Sequence, residues 1–353
     1  MKAQKLLFLT ICILFSCSFL WGQNEQSTLR KYLNKGDSII HARYSVVDYD
    51  TNYIKRPKGK FLAKIYGNLS GVTFDGKERE SIDIDDVDTY YRVSGKFRTS
   101  SRKTISLGLT YQGITAGFTI NPSSFSGHQK GEVELGFNAY TNKIVFDVNY
   151  CISSTFSGTM KINKIPFMTF EKGDMKIKML NISGYYAFNN KRFSFPAAFS
   201  QTYVQRKPAG SILAGFGIQM VEIKALGEFK EFLEGDWTNH MRYYGLGVGY
   251  GYNLVFDEGK WLIHASILPN VVVYNVSTTR YDGTRSKSHD KFPVFIMNEH
   301  FALVHFFGEK INFFGARYLA GITFEQHDVL YIRNHSDSSQ SKWQWRLFIG
   351  ARF

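Results

Sequence analysis

The end of the chain, residues 343–353, alternates between apolar and polar positions. Apolar or aromatic side chains occupy every second position: Trp343, Trp345, Leu347, Ile349, Ala351 and Phe353. Polar or small residues stand between them, with Phe348 as the exception. A period of two is the period of a β-strand, so this segment predicts a strand with one apolar and one polar face. A last strand with aromatic residues at both ends is typical of an outer-membrane β-barrel, and the terminal Phe353 fits the signal that barrel-insertion machinery reads.

The same alternation marks further segments along the chain. They are 60–70, 89–98, 105–120, 133–139, 144–150, 180–188, 212–220, 244–256, 261–267, 292–307 and 314–324. Transmembrane β-strands are about 9–11 residues long, and single-chain bacterial barrels contain an even number of them. We therefore expect an all-β fold, an antiparallel transmembrane β-barrel of about 12 strands with a short N-terminal extension.

Two of these segments carry irregularities that need an interpretation. The parity of the alternation flips across Gln112 and Gly113, which we interpret as a β-bulge within one long strand, 105–120. In 244–256, glycines occupy the odd positions from 245 to 251. Glycine weakens a strand, so either another part of the protein approaches closely inside the barrel or the strand curves sharply there.

The lengths of the connections predict the direction of each strand, because periplasmic turns are short and outer loops are long in these barrels. Counting back from Phe353, the short connections are 141–142, 257–260 and 308–311, and the long ones are 153–174, 223–242, 274–291 and 325–342. This scheme is consistent only if 189–208, which contains two prolines and a basic cluster, is not a pair of spanning strands. We expect it to be a segment on the inner side that can fold up into the lumen.

The start of the chain, residues 1–22, predicts a secretory signal peptide, with Lys2 and Lys5 before an apolar stretch. One alternative is a transmembrane helix, for which the apolar run is shorter than the required ~20 residues. Another is a lipoprotein signal ending at Cys17, for which Phe15 is bulky where a small residue is needed.

Residues 23–59 are polar and charged, with a modest helical pattern near their middle. We expect a periplasmic extension or a plug of the lumen, followed by the barrel domain, 60–353. Cys151 is the only cysteine after the predicted signal, which excludes an intramolecular disulfide in the mature chain.

The composition supports a barrel, and a barrel offers another interpretation of the positive net charge of the chain. The chain is 16% aromatic and contains 31 Gly but only 7 Pro, which suits a barrel better than a helical bundle. Its formal net charge of +13 would suggest nucleic acid as a partner of a soluble protein. Here Lys and Arg recur on strands opposite apolar positions and in loops, and the sequence has no nucleic-acid-binding motif. We expect outer-membrane lipid and lipopolysaccharide as partners and a location in the bacterial outer membrane; no partner protein is indicated.

An acidic run lies in the predicted first outer loop and consists of Asp83, Asp85, Asp86 and Asp88. Carboxylates at this density can hold a hard cation such as Ca²⁺. The run lacks the fixed Gly and closing Glu of an EF-hand, so a solvated loop is the simpler interpretation. Divalent bridging to lipopolysaccharide is the alternative.

Several polar residues are predicted to face the lumen. They are Glu132, Glu134, Asp147, His264, Gln344, Arg346 and Arg352. Ion pairs between the glutamates and the residues of the last strand would form either a pore constriction or a closed interior, and desolvation favours pairing in a narrow barrel. His264 and Ser266, with an acid such as Asp147, suggest a Ser/His/acid site, but no nucleophile signature surrounds the serine. No phosphate loop, dinucleotide fingerprint or Cys/His metal spacing occurs, so we predict no metal, cofactor or catalytic residue.

Three segments together resemble a known family. Asp50–Ile54, Ser106–Gly113 and Lys191–Phe199 are similar in order and spacing to an uncharacterised family of Bacteroidetes outer-membrane proteins, domain of unknown function 4421. The resemblance covers nearly all of the predicted mature chain and implies an outer-membrane barrel in a Gram-negative envelope, without assigned catalytic residues. Because the first and third segments lie outside the predicted strands on one side, we expect them to pack together as a plug or a periplasmic docking face.

Three functions remain open. The first is a narrow channel for small solutes, because about 12 strands lie between the small filled barrels and the 16–18-stranded porins. The second is an envelope structural or partner-binding barrel without transport, with the outer loops and the N-terminal extension as contact surfaces. The third is a barrel-embedded lipid hydrolase; we expect a protein that is not an enzyme.

Overall fold

A computed structural model of the chain describes residues 47–84, 87–111, 114–120, 132–307, 316–333 and 336–353, with the backbone alone at 78–84, 87–90, 114–120, 332–333 and 336. Residues 49–353 form one compact unit, which contains all elements below. Within the described residues, no helix has the length and apolar character needed to cross a membrane.

The strands are β1 (Ile54–Lys55), β2 (Phe61–Ile84), β3 (Val87–Arg98), β4 (Arg102–Tyr111), β5 (Ile114–Ile120), β6 (Val133–Tyr140), β7 (Ile144–Ser153), β8 (Ser157–Ile162), β9 (Ile165–Phe170), β10 (Met175–Ala187), β11 (Val204–Gln205), β12 (Ala209–Ala225), β13 (Trp237–Phe256), β14 (Trp261–Tyr281), β15 (Thr284–Ser288), β16 (Val294–Phe306), β17 (Arg317–Arg333) and β18 (Ser336–Arg352). The helices are α1 (Phe195–Phe199), α2 (Gly227–Phe232) and a 3-10 turn at Asp257–Gly259.

Twelve of these strands form the wall of an antiparallel β-barrel, which confirms the predicted fold class. In the described part of the chain, neighbours pair in the order β6, β7, β10, β12, β13, β14, β16, β17, β18, β2, β4 and β5. The two ends of this order, β5 and β6, follow each other along the chain. No ladder joins them within the described residues.

The predicted set of strands contained two errors that cancel in the total. Segment 105–120 is an antiparallel hairpin of β4 and β5, with Tyr111 opposite Ile114, so the β-bulge interpretation is wrong. A two-residue connection that contains Gly is sufficient for a hairpin, and a hairpin with that loop also reverses the parity. Segment 89–98 lies in β3, which is outside the wall and pairs with the outer part of β2, residues 73–84, and with β8.

The predicted long outer loops are largely extensions of the wall strands. Between β17 and β18 the ladder continues to Arg333 opposite Ser336, so 325–342 is a long hairpin and not a loop. Likewise β14 runs to Tyr281 and pairs there with β15. We call this side of the barrel the hairpin end and the opposite side the short-turn end. At the short-turn end, Thr141 N donates to Ile144 O over 2.8 Å; the predicted turn 308–311 lies outside the described residues.

The two faces of the wall have opposite polarity. The outward side chains are apolar and open, as at Leu246, Leu347 and Ile349, which are 60–64% exposed. The inward side chains are mostly buried and include many polar residues. This apolar-out, polar-in arrangement is the pattern of a membrane barrel. Phe348, the exception in the last strand, points inward, where its ring centroid lies 5.8 Å from that of Tyr66.

The glycines of β13 serve both of the purposes that the sequence left open. A Cβ on Gly249 would lie 2.0 Å from the carbonyl oxygen of Ile267 on β14, so the neighbouring backbone approaches too closely for a side chain. A Cβ on Gly251 would lie 3.0 Å from the ring of Phe193, which belongs to an internal segment. Strand geometry requires the first glycine, and the content of the lumen requires the second.

Residues 188–208, which we call the plug, occupy the lumen at the short-turn end. Phe193, Phe195 and Phe199 are buried there with the inward side chains of the wall. The plug also pairs with the segment that precedes the barrel: β1 and β11 are antiparallel, and Asp50 N donates to Lys191 O over 2.8 Å. The segments Asp50–Ile54 and Lys191–Phe199, which we expected to pack together, are thus joined by hydrogen bonds.

Candidate functional site in the lumen

Two buried cations of the wall hold the plug. Lys64 on β2 donates from Nζ to Gln201 Oε1 over 2.7 Å and to Ser200 O over 3.2 Å. Arg352 on β18 donates from Nη2 to the carbonyl oxygen of Gln201. Because a buried cation without partners is costly, these bonds stabilise the plug in its place and make the two cations tolerable there. The plug is therefore part of the barrel's folded interior.

Asn253 on β13 fixes the orientation of His264 on β14. The Asn253 amide donates to Ser194 O over 2.9 Å and to Gln205 Oε1 over 3.0 Å, so its Oδ1 is turned towards His264 Nδ1 at 2.7 Å. An accepting Oδ1 places the imidazole proton on Nδ1. His264 Nε2 then accepts from Ser266 Oγ over 3.0 Å. The order serine, histidine and asparagine is that of a proton relay.

The relay lies behind the aromatic side chains of the plug. The imidazole of His264 is fully buried, and the ring centroids of Phe193, Phe195 and Phe199 lie 5.9, 5.0 and 5.3 Å from it. In this closed arrangement the relay connects the plug to the wall through Asn253. Asp147, the acid considered together with His264 and Ser266, bonds instead to Asn138 over 2.6 Å and to Tyr140 over 2.5 Å.

A second closure consists of Arg102, Glu132, Glu134 and Lys342, which we call the ion-pair cluster. Arg102 Nε lies 3.1 Å from Glu132 Oε2, and Arg102 Nη1 lies 3.4 Å from Glu134 Oε2. Lys342 Nζ binds Glu134 Oε1, and Ser70 Oγ donates to Glu134 Oε2 over 2.7 Å. The four charged side chains are at most 14% exposed. Glu134 lies on β6 at one end of the strand order, and Arg102 on β4 and Lys342 on β18 lie near the other end, so the cluster links the two ends of the order.

The structure places all seven predicted lumen residues on the inward side but pairs them differently. Arg346 binds Glu325 over 2.9 Å and Gln344 over 2.7 Å, and Arg352 binds the plug. The expected pairing of these arginines with Glu132 and Glu134 is therefore wrong. Sequence reasoning missed the actual partners, Arg102 and Lys342, because parity shows which face a residue lies on and not which strand faces it across the lumen.

Elsewhere on the inward face, several buried polar atoms have no hydrogen-bond partner in the described part of the protein. Four of them are Asp147 Oδ2, Asn270 Oδ1, Asn298 Nδ2 and His300 Nε2. Their residues are at most 4% exposed. Most buried polar atoms in proteins are paired, so this group marks a polar interior that the protein alone does not satisfy. The sequence signal for these residues was their inward parity on β7, β14 and β16.

The remaining predicted sites add little to the lumen. Asp83 and Asp88 are opposite each other in the ladder of β2 and β3, but Asp85, Asp86 and the side chains of the acidic run lie outside the described residues. Cys151 is free and buried. Across the part of the chain that the structure describes, no three His, Cys, Asp or Glu side chains are grouped as metal ligands.

Comparisons with known proteins give a family and remote structural similarity. A family model described as domain of unknown function DUF4421 matches residues 48–353. A comparison with curated proteins found no match. Among solved structures, the outer-membrane protease OmpT from Escherichia coli is 10% identical, with 88% of this chain and 100% of that chain covered and a TM-score of 0.37. The outer-membrane protein OprG from Pseudomonas aeruginosa is 9% identical, with 85% and 98% covered and a TM-score of 0.26. The translocator domain of the autotransporter NalP from Neisseria meningitidis is 10% identical, with 93% and 98% covered and a TM-score of 0.30.

Proposed function

The chain belongs to the family described as domain of unknown function DUF4421, as its sequence motifs suggested. We propose the following function from the geometry of its lumen. The protein is a bacterial outer-membrane β-barrel that acts as a narrow, gated channel for small polar solutes. The described conformation is its closed state. The apolar outward face supports residence in a membrane, since it would otherwise expose large apolar side chains to water.

The observation that carries the channel proposal is the set of buried inward polar atoms without partners. A barrel with a purely structural interior would gain stability from apolar packing at such positions, because a buried polar group without a partner costs about 1–3 kcal/mol. Asp147, Asn270, Asn298 and His300 instead keep such atoms on three strands of the wall. When the lumen opens, these groups can form hydrogen bonds with water and with small polar solutes.

The two closures are the expected gates. The plug is attached by directional polar bonds from Lys64, Arg352 and Asn253, and the ion-pair cluster by bonds from Arg102 and Lys342. The polar bonds can be exchanged for water when the lumen hydrates, while the packing of Phe193, Phe195 and Phe199 against the wall adds to the cost of moving the plug and keeps opening rare. The gates differ in chemistry, so they can be opened separately by substitution.

Contacts with the envelope complete the proposal. The outward face contacts outer-membrane lipid and lipopolysaccharide, and the strand ending at Phe353 is recognised by the barrel-insertion machinery. In support, Phe353 N donates to Phe61 O over 2.9 Å, which places this residue at the short-turn end, where it is 53% exposed. The exposed residue is accessible to a protein that pairs with the last strand.

Single-channel conductance in planar bilayers tests the channel. The wild-type protein is expected to show rare, small steps, and the variant Lys64→Gln with Arg352→Gln is expected to open much more often because the plug loses both cation contacts. The matched control, Lys60→Gln with Lys260→Gln, removes two exposed charges at the same end and should behave like the wild type.

Folding of each variant is verified by heat-modifiable migration on a gel, which separates a closed barrel from a misfolded one. A second variant, Glu134→Gln with Lys342→Gln, opens the other gate and keeps the test valid if the plug variant does not fold. Silence from all folded variants would contradict the channel and favour the alternative function, an envelope structural or partner-binding barrel without transport.

A further inference from the structure

A row of basic residues crosses five strands at the hairpin end. The cross-strand register aligns Lys176 on β10 with Lys224 on β12, then Thr238 on β13, Arg280 on β14 and Arg285 on β15. Residues directly opposite each other on neighbouring strands point to the same face of a sheet. Four of the five positions in this row therefore place a Lys or Arg side chain on the same face of the sheet.

The next rows towards the membrane extend this charge. Below the first row, the register aligns Lys178, Glu222, His240, Thr278 and Lys287, and Arg242 lies in the row below that. We call the whole set the basic patch; it contains Lys176, Lys178, Lys224, Arg242, Arg280, Arg285 and Lys287. The single carboxylate within these rows, Glu222, is already bound by Lys178 over 2.7 Å and approached by His240 at 3.7 Å.

The basic patch lies on the outward face, directly above the apolar surface of the wall. On β13 the even positions face outward, and they change from the exposed Leu246 and the half-buried Tyr244 to Arg242, His240 and Thr238. Along a strand, the six steps from Tyr244 to Thr238 span about 20 Å, which is about 15 Å along the membrane normal for a strand tilted by roughly 40°. A headgroup layer is about 5–8 Å thick on each side of the membrane, so the row of Arg242 lies within it and the rows of His240 and Thr238 lie at its outer edge and just above it.

Like charges stand opposite each other within the patch. Lys176 is aligned with Lys224, and Arg280 with Arg285, and such pairs destabilise a sheet. In the described part of the chain, none of these four residues forms an ion pair with a carboxylate. Asp236 forms its ion pair with Lys230 at 3.0 Å. Lys230 is the main cause that lowers the pKa of this carboxyl group, and the charge of Lys224 contributes less. An anion from outside the protein would remove this repulsion.

We propose that the basic patch is a binding site for the phosphate groups of lipopolysaccharide in the membrane leaflet at the hairpin end. This inference rests on the proposed location in the outer membrane. Guanidinium groups bind phosphate in a bidentate manner, and ammonium groups add point charges. From β10 to β15 the row is about 19 Å wide, given strand spacings of about 4.8 Å. That width suits a glycolipid with several phosphates, anchored by its acyl chains on the apolar surface below, better than one free phosphate ion.

Binding of purified lipopolysaccharide to the detergent-solubilised full chain tests the proposal. The patch variant is Lys224→Glu with Arg280→Glu and Arg285→Glu. The matched control carries the same charge change at exposed positions of the short-turn end: Lys55→Glu, Lys60→Glu and Lys191→Glu. The patch variant is expected to bind at least about tenfold more weakly than the wild type, which corresponds to about 1.4 kcal/mol. The control is expected to remain within about twofold.

Two further probes identify the chemistry that is recognised. Dephosphorylated lipopolysaccharide should bind the wild type as weakly as intact lipopolysaccharide binds the patch variant. Inorganic phosphate at millimolar concentration should not compete. Unchanged affinity in the patch variant, an equal loss in the control, equal binding of the dephosphorylated lipid, or full competition by free phosphate would each overturn the proposal.

Failure of this inference is distinguishable from failure of the proposed function. The binding assay needs no conductance, so a silent barrel can still bind lipopolysaccharide through the patch. Fractionation of cells that produce the wild type tests the location: recovery outside the outer-membrane fraction would refute the proposed function itself. Recovery in that fraction together with unchanged binding by the patch variant would refute the lipopolysaccharide site alone.

Discussion

Removal of one charge from the ion-pair cluster is the sharpest perturbation of the lumen. Lys342→Met keeps most of the side-chain volume but leaves Glu134 with Arg102 at 3.4 Å and Ser70 at 2.7 Å as its partners. The side chains of Lys342 and Glu134 are 5% and 14% exposed, so water replaces the lost ammonium poorly. The substitution therefore tests whether Glu134 remains buried as a charge.

The expected magnitude follows from this burial. Breaking a buried ion pair by removing one partner costs about 3–5 kcal/mol, and the two remaining bonds to Glu134 place the loss near the lower bound, about 3 kcal/mol. The exposed pair of Lys96 and Asp75, at 3.2 Å with side chains 54% and 37% exposed, provides the matched control. Lys96→Met should cost about 0–1 kcal/mol.

Urea unfolding of the refolded barrel in lipid vesicles, followed by tryptophan fluorescence, measures these differences. The double variant Glu134→Gln with Lys342→Met should be less destabilised than the sum of its single variants by at least about 1.5 kcal/mol, since it leaves no uncompensated charge. A loss below about 0.5 kcal/mol for Lys342→Met, or additivity in the double variant, would refute the reasoning that the cluster is a desolvated network.

Two further predictions concern the wall and the plug. Gly249→Val should abolish the heat-modifiable band after refolding, because its Cβ would lie 2.0 Å from Ile267 O, whereas Gly67→Ala should refold normally since a Cβ there meets nothing within 4 Å; equal yields would contradict this. Phe195→Ala should destabilise the barrel by about 3–5 kcal/mol and speed tryptic cleavage within the plug, because Phe195 is fully buried. Phe292→Ala, at a side chain 72% exposed, should change neither stability nor cleavage, and equal cleavage rates would show that the plug does not depend on this packing.

Local patterning was sufficient to predict the membrane barrel. In 343–353 the alternation identified both the strand and its lipid-facing side, and Leu347 and Ile349 are indeed open on the outside while Arg346 and Arg352 are inside. The same parity placed His264 and Asp147 inward. Phe348, the exception to the alternation, also follows the parity of its position, because it points into the lumen beside Tyr66.

The sequence did not predict which strands align or which side chains pair across the barrel. The hairpin of β4 and β5 and the long extensions of β17 and β18 depend on which strands align, and the alternation is the same for a bulge as for a hairpin. The partner of Glu134 is Lys342, 208 positions along the chain, and nothing in local spacing distinguishes it from Arg346 or Arg352. The residues of the basic patch form a row only because the register of five strands aligns them.

The amino-acid sequence by itself determined the strand character of the chain, the polarity of each face and the absence of a spanning pair at 189–208, because these follow from the side-chain period and from proline and charge. Only the tertiary structure decided which inward residues meet, how the plug is held by Lys64, Arg352 and Asn253, and where outward charges gather. The physical reason is that closure of a barrel brings together residues whose distance along the chain is unrelated to their distance in space.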